Sequence, residues 1–309
     1  MTNNNLVCDL ETGICGEVNE DTNNNGLELI DLNQPQKKVD LYYVTDPICS
    51  HCWALEPVLN KFVEEYGDYL NIREVVGGML KSWDGFADVS NGINGPADVA
   101  GHWREVGEHS RMPIDGSLWL NNPVQSSYPP SRVFAVLQQR DKELGSTFLR
   151  RAREAVFAFN RNIGETDILR DIVSGMGLDG DAIVQEANSE AGEQLLNEHF
   201  GLAASLGVRG FPTIIMVNEE NKGVKVVGAR DSYFYENALK QALGTEELTP
   251  KAVPALSELL NKQRLLFFKE IEVMYGIGQS EVDAYIREKL ASGTYEVKEV
   301  LGESYIERV

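Results

Sequence analysis

The sequence predicts an α/β fold in which a long all-helical segment interrupts a four-stranded sheet, followed by a small C-terminal unit. Three observations support this prediction. A β-rich run leads directly into a Cys-x-x-Cys motif at the start of a helix, helical spacing then dominates as far as about residue 207, and the strand pattern returns after it as a hairpin. Strands on both sides of a helical block indicate a layered α/β arrangement.

The first half reads as a strand, a helix and a second strand. KVDLYYVTD, residues 38–46, is a β-rich run that ends at an Asp-Pro pair. The helix that follows has an apolar face, formed by Leu55, Leu59, Phe62 and Tyr66. Pro57 is expected to kink this helix. LNIREVVGG, residues 70–78, is the second strand, so the unit is a βαβ motif with a parallel strand pair.

The second half follows a helical stretch over about residues 96–207. GFPTIIMVNEENKGVKVVGA predicts a hairpin with strands at 213–217 and 224–228, and a helix over 232–243 closes this half. Two strands, a helical block, a hairpin and a helix make a four-stranded thioredoxin-like core. We therefore expect one domain over residues 38–245 with an all-helical insertion at about 96–207.

The two ends of the chain differ from this core. Residues 1–37 are rich in Asn, Glu and Gly and lack periodicity, which predicts a flexible N-terminal leader. Residues 255–309 read as two helices, over 256–275 and 278–290, followed by the alternating runs TYEVKEV and SYIERV. This pattern predicts a small C-terminal domain of helical, winged-helix-like shape.

Composition and charge narrow the choice of partners. The 309 residues include 28 Lys plus Arg and 48 Asp plus Glu, a formal net charge of -20. Such an acidic chain repels phosphate, so we expect neither nucleic acid nor an anionic membrane as partner. The N-terminus has no basic region followed by an apolar core, so no secretory signal is predicted and a cytoplasmic location is expected.

The motif CSHC contains the residues with the clearest chemical potential, Cys49, His51 and Cys52. The start of a helix favours an anion, so we expect Cys49 to be an activated thiolate, aided by a cationic His51, and Cys52 to be the resolving thiol. Half of a zinc site is the alternative, but no second Cys-x-x-Cys completes four ligands. Cys8 and Cys15 in the leader are weak candidates for metal ligands. We expect no cofactor.

GVRGFPT, residues 207–213, adds a second signature. Thioredoxin-like proteins carry a cis-proline at the start of the third strand, facing the Cys-x-x-Cys, and Pro212 stands in that place. A trans proline that merely begins an edge strand is the alternative. The order of these features, cysteine motif, helical insertion and strand-opening proline, favours the cis form.

Longer strings resemble a known family. CSHC and the insertion resemble the DsbA superfamily, while DPICSHCWALEPVL, HWREVGEHSRMPIDG, RRAREAVFAFNRNIGET, VRGFPTIIMVN and KEIEVMYG are similar to the SpxH (YjbH) family. CDLETGICG in the leader resembles the N-terminus of that family. The resemblance implies a cytosolic adaptor that binds the transcription regulator Spx and promotes its degradation by the ClpXP protease, with ClpXP contacted through the client. Some such adaptors have a histidine-rich N-terminal segment proposed to hold zinc, but this leader has no histidine.

Two functions therefore remain to be weighed. An adaptor is a binding protein without turnover, in which the Cys-x-x-Cys is redox-responsive and the groove beside Pro212, with Trp53 and Phe211 as candidate contacts, or the adjacent insertion meets the client. The alternative is a cytosolic thiol–disulfide oxidoreductase or isomerase of the DsbA or FrnE kind. The basic cluster Arg150, Arg151 and Arg153 reads as a solvated helix face, or as a partner for carboxylates of this chain or of a client.

Overall fold

The computed structural model describes residues 38–88 and 91–309. Both halves of the predicted sheet are present. Strands β1 (Val39–Thr45) and β2 (Leu70–Val76) flank helix α1 (Ser50–Tyr66), and β3 (Thr213–Val217) and β4 (Gly223–Val227) form the hairpin before helix α9 (Ser232–Leu243). The strand order is β2-β1-β3-β4, with β1 parallel to β2 and antiparallel to β3. This is the thioredoxin-like core that the sequence predicted.

Helix α1 continues through Pro57 without a break in its helical assignment. Its inward face meets one side of the sheet, where Leu55, Leu59 and Phe62 pack with strand residues and with α9. The opposite side of the sheet is covered by residues that precede β3 in the chain, among them Ala203 and Phe211. Apolar burial on both faces holds the sheet in a three-layer arrangement.

The segment between the two halves is helical throughout its main elements. They are α2 (Pro96–Ser110), α3 (Leu118–Asn121), α4 (Tyr128–Arg140), α5 (Lys142–Arg153), α6 (Thr166–Gly175), α7 (Gly180–Ala187) and α8 (Glu190–Ser205). A π-helical turn, Glu154–Ala158, directly extends α5. These helices enclose a large apolar cluster of their own, which also includes Trp53 from α1. The insertion is therefore packed on the end of the sheet where the cysteine motif begins.

The C-terminal residues form a second, smaller sheet with helices. Its elements are α10 (Leu256–Gln263), β5 (Leu265–Phe267), α11 (Phe268–Tyr275), α12 (Val282–Lys289), β6 (Tyr295–Val300) and β7 (Glu303–Arg308). The predicted final hairpin is confirmed, since β6 pairs antiparallel with β7. The predicted continuous helix over 256–275 is wrong: Arg264 has a φ of 67° and the chain then joins β7 as strand β5. The winged-helix shape stays a prediction.

The C-terminal segment is not isolated from the rest of the chain. Leu265, Phe267 and Tyr305 belong to the apolar cluster of the insertion, and Phe267 meets Trp53 edge to face with ring centroids 5.7 Å apart. Within residues 38–88 and 91–309, no helix is both long and apolar enough to cross a bilayer.

Candidate functional site

Cys49 lies at the N-cap of α1, immediately after the loop that leaves β1. Its Sγ accepts a hydrogen bond from the backbone N–H of Cys52 at 3.2 Å, so one of the unpaired N–H groups at the helix start is satisfied by the thiol. Both cysteines are free thiols. Cys49 is 2% exposed and Cys52 is fully buried. The dithiol is therefore placed as the sequence predicted, but it is almost closed to solvent.

The two thiols differ in how easily they ionise. Burial raises the pKa of Cys49 well above its usual range. Cys52 is also desolvated, but hydrogen bonding from Cys49, the positive charge of Arg153 and a hydrogen bond with Thr45 outweigh this effect and lower the pKa of Cys52. Burial and the neighbouring Cys52 side chain therefore act against the activation of Cys49 that the sequence predicted.

His51, the middle residue of the motif, is exposed. Its ring meets that of His102 edge to face, with centroids 5.3 Å apart. Desolvation lowers the pKa of His51, and His102 and His109 lower it further. His51 is then neutral at pH 7 and adds no positive charge to stabilise a thiolate, contrary to the role expected for it.

Asp46 anchors the loop that leads into the motif. Its carboxylate accepts hydrogen bonds from the backbone N–H of Met79 (2.7 Å) and Ile48 (3.1 Å) and from the Ser127 hydroxyl (2.9 Å). Burial nevertheless raises the pKa of Asp46 to about 6. Because Met79 follows β2 and Ser127 precedes α4, this one side chain ties the cysteine loop to both the sheet and the insertion.

Pro212 lies at the same end of the sheet as the cysteine motif. The Phe211–Pro212 bond is cis, the isomer that the sequence predicted, and Thr213 pairs with Val44 near the end of β1. The Phe211 ring is half-buried and covers Gly77, where an added Cβ would lie 2.0 Å from Phe211 Cε1. Glycine at position 77 thus lets the aromatic ring lie flat beside the cis-proline.

Trp53, the other predicted partner contact, is at 0% exposure. Its Nε1 donates to the carbonyl of Pro113 at 3.0 Å, and its ring stacks on Phe157 with centroids 5.8 Å apart. In this structure Trp53 therefore offers no surface to a partner. It joins α1 to the insertion instead.

The basic cluster of α5 is the feature that sequence reasoning placed least well. Arg150 and Arg153 are 7% and 2% exposed, so the solvated-face interpretation is wrong for them. Arg153 Nη1 donates to Glu56 Oε1 and Arg150 Nη1 to Glu56 Oε2, both at 2.8 Å. Arg150 also donates hydrogen bonds to both carboxylate oxygens of Glu270, at 2.6 and 2.8 Å. The chain's own carboxylates are the partners.

This buried charge network extends further at both ends. We define it as Arg150, Arg151, Arg153, Glu56, Glu154 and Glu270, three positive and three negative side chains joined by ion pairs of 2.6 to 2.9 Å. At one end, Arg153 Nη2 donates to the Thr45 hydroxyl and to the Asp46 carbonyl. At the other end, Glu270 belongs to α11. The charge network therefore runs from the cysteine loop to the C-terminal segment.

A cleft of about 880 Å³ opens beside the charge network. Its walls come from β1, β2, α1, α4, α5 and the C-terminal helices, and they include Glu56, Arg150, Arg153 and Glu270. Glu74 of β2 also lines it, and burial raises the pKa of this carboxyl. The cleft thus combines charged side chains of both signs with apolar ones.

Metal binding finds no support in the described residues, where no three His, Cys, Asp or Glu side chains come together in a way that could hold an ion. The weak candidates Cys8 and Cys15 lie outside the described residues. Of the predicted site residues, Cys49, Cys52 and Pro212 share one end of the sheet. The signal that could have revealed the charge network is Glu56, a carboxylate on the otherwise apolar inner face of α1.

Comparisons with known proteins agree with this architecture. A family profile described as Thioredoxin matches residues 42–237. Cytosolic disulfide reductase DsbM of Pseudomonas aeruginosa has a TM-score of 0.50 at 21% identity and covers 66% of this chain and 95% of its own. A probable DsbA oxidoreductase of Streptomyces coelicolor has a TM-score of 0.53 at 17% identity, covering 70% and 94%. These likenesses show the DsbA-type fold.

Similarity in sequence reaches beyond that fold. ClpXP adapter protein SpxH of Halalkalibacterium halodurans is 30% identical over 291 residues, which is 92% of this chain and 91% of that protein. The SpxH protein of Bacillus subtilis is 28% identical over 261 residues, covering 83% and 84%. Matches of this length cannot fit within residues 42–237 and include sequence outside that range. The chain belongs to the SpxH family of ClpXP adapter proteins, built on a DsbA-type thioredoxin-like fold.

Proposed function

We propose that this protein is a cytoplasmic adaptor that binds the transcription regulator Spx and promotes its degradation by ClpXP, without catalytic turnover of its own. The observation that supports this most is the extent of the similarity: SpxH relatives match 92% and 83% of the chain, whereas the oxidoreductase folds cover 66% and 70%. What the chain has beyond the oxidoreductase fold is therefore largely shared with proteins named as adapters.

The state of the dithiol supports the same proposal. A thiol–disulfide exchange catalyst needs an accessible thiolate, but Cys49 and Cys52 are buried and the pKa of Cys49 is raised by that burial. An adaptor needs only a surface that holds its client where the protease can engage it. A net charge of -20 favours a client with basic regions and raises its rate of encounter at low salt.

We infer that the client contact lies at the groove beside Pro212 and includes the half-buried ring of Phe211. Phe211→Ala should weaken the binding of purified Spx about tenfold, since truncation of an aromatic anchor commonly costs on the order of 1–2 kcal/mol. Affinity is measured by calorimetric titration of the full chain. Leu120→Ala, on the insertion and 59% exposed, is the matched control and should leave the affinity within about twofold.

The outcomes separate the two surfaces named as candidates. A loss with Leu120→Ala but not with Phe211→Ala would move the contact from the groove to the insertion. No binding of Spx by the unaltered chain would contradict the adaptor itself. Cys49→Ala plus Cys52→Ala, titrated in reducing and oxidising buffer, reports whether the thiols matter to the client; equal affinities would remove them from client binding.

A cytosolic thiol–disulfide oxidoreductase or isomerase is the second candidate. One observation favours it: Cys49, Cys52 and the cis-proline Pro212 meet at one end of the sheet, as such enzymes require. Reduction of insulin disulfides by the purified chain, compared with Cys49→Ser, decides the matter. We expect no turnover above that of the variant.

A further inference from the structure

We propose that the Cys49–Cys52 pair and the C-terminal segment form one coupled unit, in which the buried charges of Arg153, Glu56, Arg150 and Glu270 transmit the oxidation state of the dithiol to α11. This inference goes beyond the client and the protease, and its test needs neither of them.

The first step is the link between the dithiol and Arg153 through the backbone of the cysteine loop. This guanidinium donates to the Thr45 hydroxyl and to the Asp46 carbonyl, and the Cys49 N–H in turn donates to the same Asp46 carbonyl at 3.2 Å. Arg153 is 2% exposed, so its charge acts on the sulfur atoms with little screening by water. The Arg153 charge lowers the pKa of Cys52, so the proposed coupling acts through the dithiol form in which Cys52 is a thiolate.

The second step is competition for Glu56. Its two carboxylate oxygens are divided between Arg153 and Arg150, each at 2.8 Å. When less negative charge lies near the Arg153 guanidinium, Glu56 moves toward Arg153 and away from Arg150. Buried charges respond in this way because each unpaired charge in the interior is costly.

The third step reaches the C-terminal segment. Arg150 holds Glu270 by two hydrogen bonds, and Glu270 also accepts from the backbone N–H of Phe267 at 2.9 Å, which fixes the start of α11. The Arg150 guanidinium lies 4.9 Å from the centroid of the Trp53 ring, one residue after Cys52. A change in how Arg150 shares its charge therefore bears directly on the docking of α11.

Oxidation changes the charge of the dithiol, which is the first group in the series that runs through Arg153, Glu56 and Arg150 to Glu270. With a low-molecular-weight disulfide as oxidant, one protein thiolate attacks the reagent, displaces one reagent thiolate and forms a mixed disulfide. The second protein thiolate attacks the protein sulfur of that bond, forms the Cys49–Cys52 disulfide and displaces the second reagent thiolate. The protein loses two electrons and the one proton that the dithiol holds when Cys52 is a thiolate, and the reagent ends as one thiol and one thiolate, which takes its proton from solvent.

Whether oxidation strengthens or weakens the docking of α11 follows from the alternating negative and positive charges between the dithiol and Glu270. When the Cys52 thiolate is lost, Glu56 moves closer to Arg153, and its ion pair with Arg150 weakens. Arg150 then pairs more strongly with Glu270. Oxidation should therefore strengthen the docking of α11. Conversely, when Glu270 loses its charge, Arg150 pairs more strongly with Glu56. The charge of Arg153 is then balanced by the thiolate of the dithiol, which favours the reduced form. Because coupling between sites is reciprocal, docking of α11 should favour the disulfide by the same factor by which the disulfide favours docking.

The test uses the full chain in glutathione redox buffers, with the oxidised fraction read as a mass difference after alkylation. Glu270→Gln should shift the equilibrium toward the dithiol by about three- to tenfold, the range for a buried charge acting through two ion pairs. Glu272→Gln is the matched control on the same helix, since Glu272 pairs with Arg111 and Lys269 outside the charge network. It should leave the equilibrium unchanged.

A second measurement needs no variant and stands if Glu270→Gln does not fold. Hydrogen exchange of the unaltered chain is compared in its dithiol and disulfide forms. Backbone amides of α11 should exchange about threefold or more slowly in the disulfide form. Equal exchange in the two forms, or equal redox equilibria for Glu270→Gln and Glu272→Gln, would overturn the proposal.

Discussion

Cys49 and Cys52 occupy the place where a reactive dithiol stands in a thioredoxin-like fold, yet their chemistry is set by what surrounds them. Both thiols are buried, and burial raises the pKa of Cys49. The pKa of Cys52 is lowered instead, because hydrogen bonds and the Arg153 charge outweigh its desolvation. At the scale of single residues, environment rather than motif decides reactivity.

Asp46 gives a prediction that depends on pH. Its pKa is about 6 in the folded chain and about 3.9 in an unfolded one, so the folded state keeps a proton that the unfolded state releases between these values. The stability contributed by Asp46 is therefore greatest below about pH 4 and falls as the pH rises to about 6. The difference of about two units corresponds to about 3 kcal/mol.

Asp46→Asn removes this titration. The free energy of unfolding of the unaltered chain, minus that of the variant, should decrease by about 3 kcal/mol between pH 4 and pH 7. Denaturant unfolding at a series of pH values measures it, and the other titrating groups cancel because both proteins contain them. Two parallel curves would show that Asp46 ionises in the folded chain as it does in the unfolded one.

At the scale of elements, α5 and α1 owe their mutual position to charge as well as to apolar packing. Arg150→Met keeps an aliphatic side chain over Trp53 but leaves Glu56, Glu154 and Glu270 facing one another without their shared cation. This change should lower the free energy of unfolding by about 3–5 kcal/mol, the usual cost of breaking a buried ion pair from one side.

The matched control for this prediction is Arg161→Met. Arg161 pairs with Asp171 at 2.8 Å, but both side chains are exposed, so the loss should stay within about 1 kcal/mol. Similar losses for the two variants, measured by denaturant unfolding, would mean that the charge network contributes no more than an ordinary surface pair.

Much of the element pattern could be predicted from the sequence, because local signals encode it. The apolar spacing of Leu55, Leu59 and Phe62 locates α1, and the run from Thr213 to Val217 before a polar turn locates the hairpin. The break between α10 and α11 was missed, since the positive φ of Arg264 and the pairing of β5 with β7 depend on a partner strand about forty residues away.

Part of the candidate site could likewise be predicted from the sequence, and part could not. Cys49, Cys52 and Pro212 carry their signal in adjacent residues, so the sequence located them. The burial of Arg150 could not be predicted, because its partners Glu56 and Glu270 lie 94 and 120 positions away in the chain. Helical periodicity places an arginine on a face of α5, but only the tertiary fold decides that this face meets carboxylates instead of water.

For the whole molecule, the arrangement favours a binding protein. The oxidoreductase fold is complete, but its two thiols are buried, and a C-terminal segment shared with SpxH relatives packs on it through Phe267, Tyr305 and Glu270. The strongly acidic surface is suited to steering a client by charge. Each of these features agrees with the adaptor function proposed above.

The rate at which ClpXP degrades purified Spx, with and without the full chain, tests this account most directly. We expect the chain to accelerate degradation at least about tenfold at concentrations where it saturates Spx, because a tethered client reaches the protease at a high effective concentration. Degradation that is no faster with the chain present, together with reduction of insulin disulfides above the level of Cys49→Ser, would contradict the adaptor function and favour the oxidoreductase.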